Sequence, residues 1–353
     1  MTTSYGDISP RTAAFVVAEL LKRGMPLLVF EKFGQTKAIP ANETKSISFR
    51  RYYLQTSFTE PSGAADFNPK EYFDTDNDPM DPADRVLTEG VTPSATELRN
   101  SDYTATLVQY GDRVVITDVV MDTHEDPVMS EAIAILGEQA AVIIEKSRFN
   151  VLKAGSNVFY ANGSARTDVN TVFSLADQRK VTRFLKRNLA KPITNIVKST
   201  PAYGTESIAA SFVCVVHPDL EPDLRNIASF VPVEKYGSVA PMEGEIGKIE
   251  DCRYIMSTII EPWDGGGAAD GTDTVLETSD VSDVYPMLYF ARDAYGIVPL
   301  KGKNAMTPMV VNPKPSDSDP LAQRGHVSWK GYQATIILND FWMARLEVAV
   351  SAL

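Results

Sequence analysis

The chain has 353 residues, 44% of them hydrophobic and 23% charged, with a formal net charge of -12. That length supports two or three domains, or one body with large insertions, and a sizeable core. The acidic balance argues against direct gripping of a nucleic-acid backbone, which needs clustered Lys and Arg.

Residues 10–23, PRTAAFVVAELLKR, read as a helix with Ser9 as cap, Pro10 in the first turn and Gly24 as the stop. Thr44 to Gln55 alternates Ile47, Phe49 and Arg51 with Ser46, Ser48 and Arg50, which is strand periodicity. Ser57 to Val86 is rich in Pro, Gly and Asp and shows neither period, so it reads as an irregular insertion. It holds eight acidic residues (Glu60, Asp66, Glu71, Asp74, Asp76, Asp78, Asp81 and Asp84) against Lys70 and Arg85, half of the whole net charge. Tyr103 to Val119 alternates like a strand on both sides of Gly111-Asp112, a turn or bulge signal.

Asp126 to Gly155 is the strongest helical pattern: Asp126 caps, Pro127 opens and Gly155 stops it. Met129, Ile133, Leu136, Ala140, Ile143, Ser147 and Val151 form its apolar stripe. At ~1.5 Å per residue such a helix runs roughly 40 Å, far beyond the globular mean of ~11–12 residues. A helix this long is expected to be a spine for other elements. Ser174 to about Leu189 reads as a second helix with Leu175, Val181, Phe184 and Leu185 inward. Residues 208–216, IAASFVCVV, and 253–262 read as strands, and PDLEPDLRNIASF as a short helix. DGGGAADGTDT at 264–274 reads as a flexible loop tip, MLYFARDAYG as a strand into a turn, and 326–350 as two strands antiparallel or nearly so.

Nothing in this pattern assembles a catalytic or ligand site. Asp74 to Pro79, DTDNDP, opens like a calcium loop, but Pro79 and Arg85 stand where Gly and Glu are needed. His124, His217 and His326 are far apart and lack partners at metal-ligand spacing; His217-Pro218 reads as a structural turn. The glycines at 265–267 precede no Lys-Ser/Thr and open no helix, so they are not a phosphate loop. No catalytic residue, cofactor or metal is expected. Two cysteines give no disulfide framework, and Cys214, inside SFVCVV, is expected to be buried and unpaired. No apolar run approaches the ~20 residues of a membrane span, and MTTSYGDISP has no signal-peptide pattern. A soluble protein of a reducing cytoplasm is expected. What remains is extended, two-faced structure, expected to bury its second face on neighbouring copies.

In chain order, SFRRY at 48–52, LTEGVTP at 87–93, QYG at 109–111, ITD at 116–118 and the long helix after Glu125-Asp126 carry a resemblance. VHPDL at 216–220, EGEIGKI at 243–249, DAYG at 293–296 and SDPLAQRGHVSWK at 318–330 continue it. Together they resemble the major capsid proteins of tailed bacteriophages with the HK97-like fold, in particular the N4-like branch. The acidic stretch 57–86 has no counterpart in it. The resemblance implies an α+β fold: N-terminal arm (1–43), extended β-hairpin loop (44–118, limbs Thr44–Arg51 and Tyr103–Asp118), and peripheral domain (119–205) with a spine helix (127–153). An axial domain (206–325) and C-terminal strands returning to the peripheral domain (326–353) complete it. It further implies hexamers and pentamers closing an icosahedral shell around double-stranded DNA without sequence-specific binding, and a portal with scaffolding or decoration proteins as partners. Localisation would be the virion, after assembly in the bacterial host cytoplasm. Arg50, Arg51, Glu89 and Arg113 are the intersubunit contacts expected on this reading. A cellular compartment shell of encapsulin type, or an unrelated α+β enzyme, are the alternatives.

Gly137→Pro tests the spine helix: proline in its middle costs ~3 kcal/mol or more, and insoluble protein is expected. Normal soluble yield and helicity by circular dichroism would contradict the assignment.

Overall fold

The computed structural model describes residues 27–38, 45–54, 86–92, 98–119, 128–197, 205–237, 241–269, 271, 274–299, 306–311, 315 and 320–352. The helix expected at 10–23 and the acidic insertion at 57–86, except Val86, lie outside them. The strands are β1 Gln35–Thr36, β2 Ser46–Leu54, β3 Leu98–Thr106, β4 Val108–Thr117, β5 Val158–Tyr160, β6 Ile193–Val197, β7 Thr205–Val216, β8 Phe230–Pro232 and β9 Glu245–Ile249. They continue as β10 Cys252–Met256, β11 Glu277–Thr278, β12 Val281–Ser282, β13 Tyr285–Phe290, β14 Tyr295–Ile297, β15 Met306–Val311, β16 Arg324–Gln333, β17 Thr335–Ile337 and β18 Met343–Val348. The helices are α1 Val128–Leu152, α2 Leu175–Arg187 and α3 Glu221–Asn226.

The largest sheet runs β5-β18-β13-β7-β10-β9-β8, with β6 also on β7. The β7 run SFVCVV is apolar at successive positions because both its faces are covered. Phe212, Cys214 and Val216 pack with Tyr254, Tyr289 and Leu346 under Val181 and Leu185 of α2. Val213 and Val215 face the other way, onto Phe30, Phe149, Leu152 and Phe290. Ser174 caps α2: its Oγ accepts the Asp177 N–H at 3.3 Å. Cys214 is buried and free, as is Cys252, and burial pushes both thiols up. Inside this layer the Tyr254 hydroxyl donates to Gln178 Oε1 at 2.9 Å, and Gln178 Nε2 donates to the Ile249 carbonyl at 2.7 Å. Those polar atoms are buried with partners, as an apolar layer requires.

A second, three-stranded sheet runs β15-β16-β4. α1 lies on it through Leu136, Ala140, Ala141 and Ile144 against Ile116, Val327 and Trp329. Further along, Phe149 and Leu152 of the same helix enter the core of the large sheet. α1 therefore bridges two sheets, which is what its 25 residues and roughly 37 Å are for. Its buried face is not the expected stripe. Leu136 and Ala140 are buried, but Ile133, Ile143, Ser147 and Val151 are half-buried, while Glu145 and Arg148 are fully buried. A helix clasped on two sides has no single apolar face, and charges buried as partners disguise the one it has.

The hairpin pairs β2 with β3, Ser46 opposite Thr106 through Leu54 opposite Leu98. Residues 108–117 are not its continuing limb. They leave for the other sheet and pair with β16, Val108 opposite Gln333 through Thr117 opposite Arg324. Gly111 is neither turn nor bulge: it sits in unbroken register opposite Lys330, and an added Cβ would meet the Trp329 carbonyl oxygen at 2.7 Å. Nor does the base of the hairpin wait for another copy. Ile47, Phe49, Ala105 and Leu107 are buried against Val298, Ala334 and Leu338 of the same chain. The Phe49 ring lies over Gly296, where any Cβ would come within 2.7 Å of it.

The large sheet draws strands from both sides of 206 and of 325. β5 and β6 lie before 206 and β18 after 325, yet all three hydrogen-bond into the large sheet. The last stretch is three strands, not two, and β16 and β18 lie in different sheets. The 253–262 strand ends at Met256. Residues 264–269 are tied down: the Gly267 N–H donates to the Ser282 carbonyl at 3.0 Å and the Ala268 N–H to the Val169 carbonyl at 2.9 Å.

Phe49→Ala should remove about 3–5 kcal/mol of packing. By hydrogen exchange, protection should fall in β2 and β3 and stay unchanged in β7 and β13. Unchanged β2 protection would show that the hairpin does not depend on this seat.

Candidate functional site

Two features stand out: a buried charge cluster that fixes the segment before β1, and surfaces that a single copy leaves uncovered. The cluster begins with IIEKSRF in α1. Glu145 and Arg148 are three apart, so they share a helix face, and both are fully buried. Arg148 Nη1 lies 3.1 Å from Glu145 Oε2, and Arg148 also donates to Glu31 Oε2 at 3.3 Å, the Val298 carbonyl at 3.2 Å and Gln333 Oε1 at 3.3 Å. The other Glu145 oxygen accepts the backbone N–H groups of Val29 and Phe30, each at 2.6 Å. Burial pushes the Glu145 carboxyl up, against the Arg148 guanidinium and the two N–H donors that favour its charge. Burial works to lower Arg148, but Glu31 and Glu145 outweigh it and hold the guanidinium above its usual range. The cluster is structural: it nails residues 29–31 to α1, β16 and Val298.

The four residues expected at subunit contacts are not gathered together. Arg50 is exposed and spends its guanidinium on Asp102, directly opposite in the hairpin, at 2.7 and 2.8 Å. That pair holds the Asp102 carboxyl below its usual range. Arg51 is the next strand residue, opposite Ser101. Glu89 is exposed at a turn next to Gly90, and Arg113 is exposed in β4 opposite Ser328.

The three-stranded sheet leaves apolar side chains exposed on its edge strands. Val115, His326 and Val311 stand in one row, and Arg113, Ser328 and Met309 in the next. Val115 is 51% exposed and Val311 42%, more than a lone surface valine needs to explain.

Among the described residues no group of acidic, Cys and His side chains could hold a metal ion, and no helix is long and apolar enough to cross a membrane. His217 caps a turn, accepting the Asp219 N–H at 3.3 Å, beside the Tyr285 ring. His124 and the carboxylates of DTDNDP lie outside the described residues. The residues at 265–267 form no anion cradle: the Gly265 N–H is taken by Asp283 at 2.7 Å, and Gly267 is wedged against the Val169 carbonyl. Sequence periodicity missed the Glu145–Arg148–Glu31 cluster. The available signal was a Glu and an Arg three apart inside an otherwise apolar helix.

Solved structures share this architecture. The capsid of Ralstonia phage GP4 aligns with a TM-score of 0.62 at 12% identity, covering 90% of this chain and 87% of that one. The capsid of cyanophage Pam1 gives 0.58 at 11%, covering 94% and 93%, and that of cyanophage P-SCSP1u gives 0.56 at 13%, covering 92% and 89%. The fold is thus that of HK97-like phage capsids. A profile of the family described as phage capsid protein matches residues 102–346. The chain belongs to that family: it is a structural capsid protein, not an enzyme. The major capsid protein of Pseudomonas phage KPP21 is 24% identical over 203 residues, 53% of this chain and 51% of that protein. The chain thus spans about half the length of this curated relative.

Arg148→Met leaves Glu145 buried without its cation and should cost about 3–5 kcal/mol. Glu145→Gln keeps an acceptor for Val29 and Phe30 and should cost less. Urea titration orders the two; the reverse order would mean that the carboxylate, not the guanidinium, organises the cluster.

Proposed function

We propose that this protein is a major capsid protein that self-assembles through hexamers and pentamers into an icosahedral shell enclosing a phage genome. The observation that carries the reading is a capsid fold matched over nine-tenths of the chain in a member of the phage capsid family. The uncovered rows on β4 and β15 support it, since a shell subunit must keep apolar surface for its neighbours. The net charge of -12 supports it too, because a container of DNA must not grip what it holds. Membership of the N4-like branch rests on the sequence resemblance. A portal, scaffolding or decoration proteins, and assembly in the host cytoplasm belong to the same reading. The relatives described above are phage proteins, and no observation favours a cellular compartment shell.

In this scheme β2–β3 is the extended loop. α1 with the three-stranded sheet forms the peripheral domain, and the large sheet, including β18, forms the axial domain. Glu89 and Arg113, both exposed, are the charged contacts favoured among the four. Arg50 is secondary, because Asp102 already neutralises it.

Purified protein should form closed shells under negative stain, and a monomer at micromolar concentration in light scattering would end this reading. Arg51→Glu should stay soluble and block closure, since it reverses charge at a subunit contact. Wild-type particle yield from it would remove Arg51 from the interface.

A further inference from the structure

α2 is charged unlike the rest of the chain. LADQRKVTRFLKR carries Arg179, Lys180, Arg183, Lys186 and Arg187 against a single carboxylate, Asp177. Three of the five cations are already matched: Lys180 by Asp177 at 2.8 Å, Arg179 by Glu250 and Lys186 by Asp251. Arg183 and Arg187 are exposed, and neither guanidinium meets a hydrogen-bond acceptor among the described residues. They stand one turn apart on the face that also holds Lys180 and Phe184.

Beside them opens a concavity of about 440 Å³, lined by Lys180, Arg183, Phe184 and Arg187 together with Phe159 of β5 and Phe341. Phe159 and Phe184 meet edge to face with centroids 5.3 Å apart. The floor is aromatic and the rim cationic. Such a site recognises a ring flanked by carboxylates: rings pack on rings, while guanidinium groups take carboxylates in paired hydrogen bonds.

The chain contains that ligand. Glu71-Tyr72-Phe73-Asp74 sets two rings between two carboxylates, in the middle of the stretch from 57 to 86 that carries half the net charge. From Leu54 at the end of β2, seventeen residues lead to Glu71, a reach of up to about 55 Å when extended. Within one copy the large sheet separates α2 from the seat of the hairpin that leads to Glu71. α2 covers the face of Cys214 and Tyr254. The hairpin seat at Phe49 and Gly296 adjoins β14, whose Tyr295 and Ile297 pack on the opposite face. We infer that the aromatic, basic pocket of α2 receives the Glu71–Asp74 stretch of an adjacent copy, so that the acidic insertion is a tether between subunits. The inference rests on the shell reading above.

The test replaces Tyr72 with the photo-crosslinker p-benzoylphenylalanine and assembles an equal mixture of light and 15N-labelled chains. After irradiation, mass spectrometry should find position 72 joined to the 180–187 segment in mixed light–heavy pairs. Cross-links that miss α2, or only same-isotope pairs, overturn the inference. With Arg183→Glu and Arg187→Glu the cross-link yield should fall at least tenfold, with an unchanged circular dichroism spectrum because both side chains are exposed. Glu71→Arg and Asp74→Arg on the same chain should restore it. Loss without rescue would also overturn the charge matching. Shells that form while the cross-links miss α2 sink this inference alone; absence of shells sinks both readings.

Discussion

Everything in this fold hangs from one buried charge cluster. Glu145 and Arg148 are held inside α1, where removing ions from water is costly unless every lone pair and proton finds a partner. Here the partners come from four places in the chain: residues 29–31, α1 itself, Val298 and Gln333. Its bonds form only when those segments are all in place, and even then Arg148 Nε and Gln333 Nε2 stay buried without a partner. It works as a register lock more than as a source of net stability, since an apolar replacement of the same volume would cost less to bury.

Around that lock the two sheets divide the work. The large one is covered on both faces and pairs Tyr254 and Gln178 within its core. The three-stranded one is covered by α1 on one face and exposes Val115, Val311 and Met309 on the other. Rigidity and adhesion are thus given to different sheets joined by one helix. A subunit built this way can present a sticky surface without softening the body behind it.

Much of this was legible in the sequence, for local reasons. α1 and α2 announce themselves by periodicity. The unbroken apolar run of β7 signals a strand covered on both faces. What was not legible depends on distant partners. Alternation in 103–119 says strand but not which strand it joins, so β3 and β4 read as one limb although they part at Leu107 into separate sheets. Gly111 looks like a turn because the carbonyl that forbids a side chain there belongs to Trp329, far along the chain. The helix stripe was misplaced because the residues most deeply buried include an Arg and a Glu. Of the four residues named from sequence as contacts, Glu89 and Arg113 are exposed. That Arg50 is already neutralised could not be read from sequence, because its partner lies fifty-two residues away.

The position of β18 has a consequence for synthesis. It lies between β13 and β5, so the large sheet stays open until residues 343–348 have left the ribosome. Until then β13 offers a bare hydrogen-bonding edge, and the short β5 has nothing to pair with. The large sheet is therefore completed only after every other one of its strands has been made.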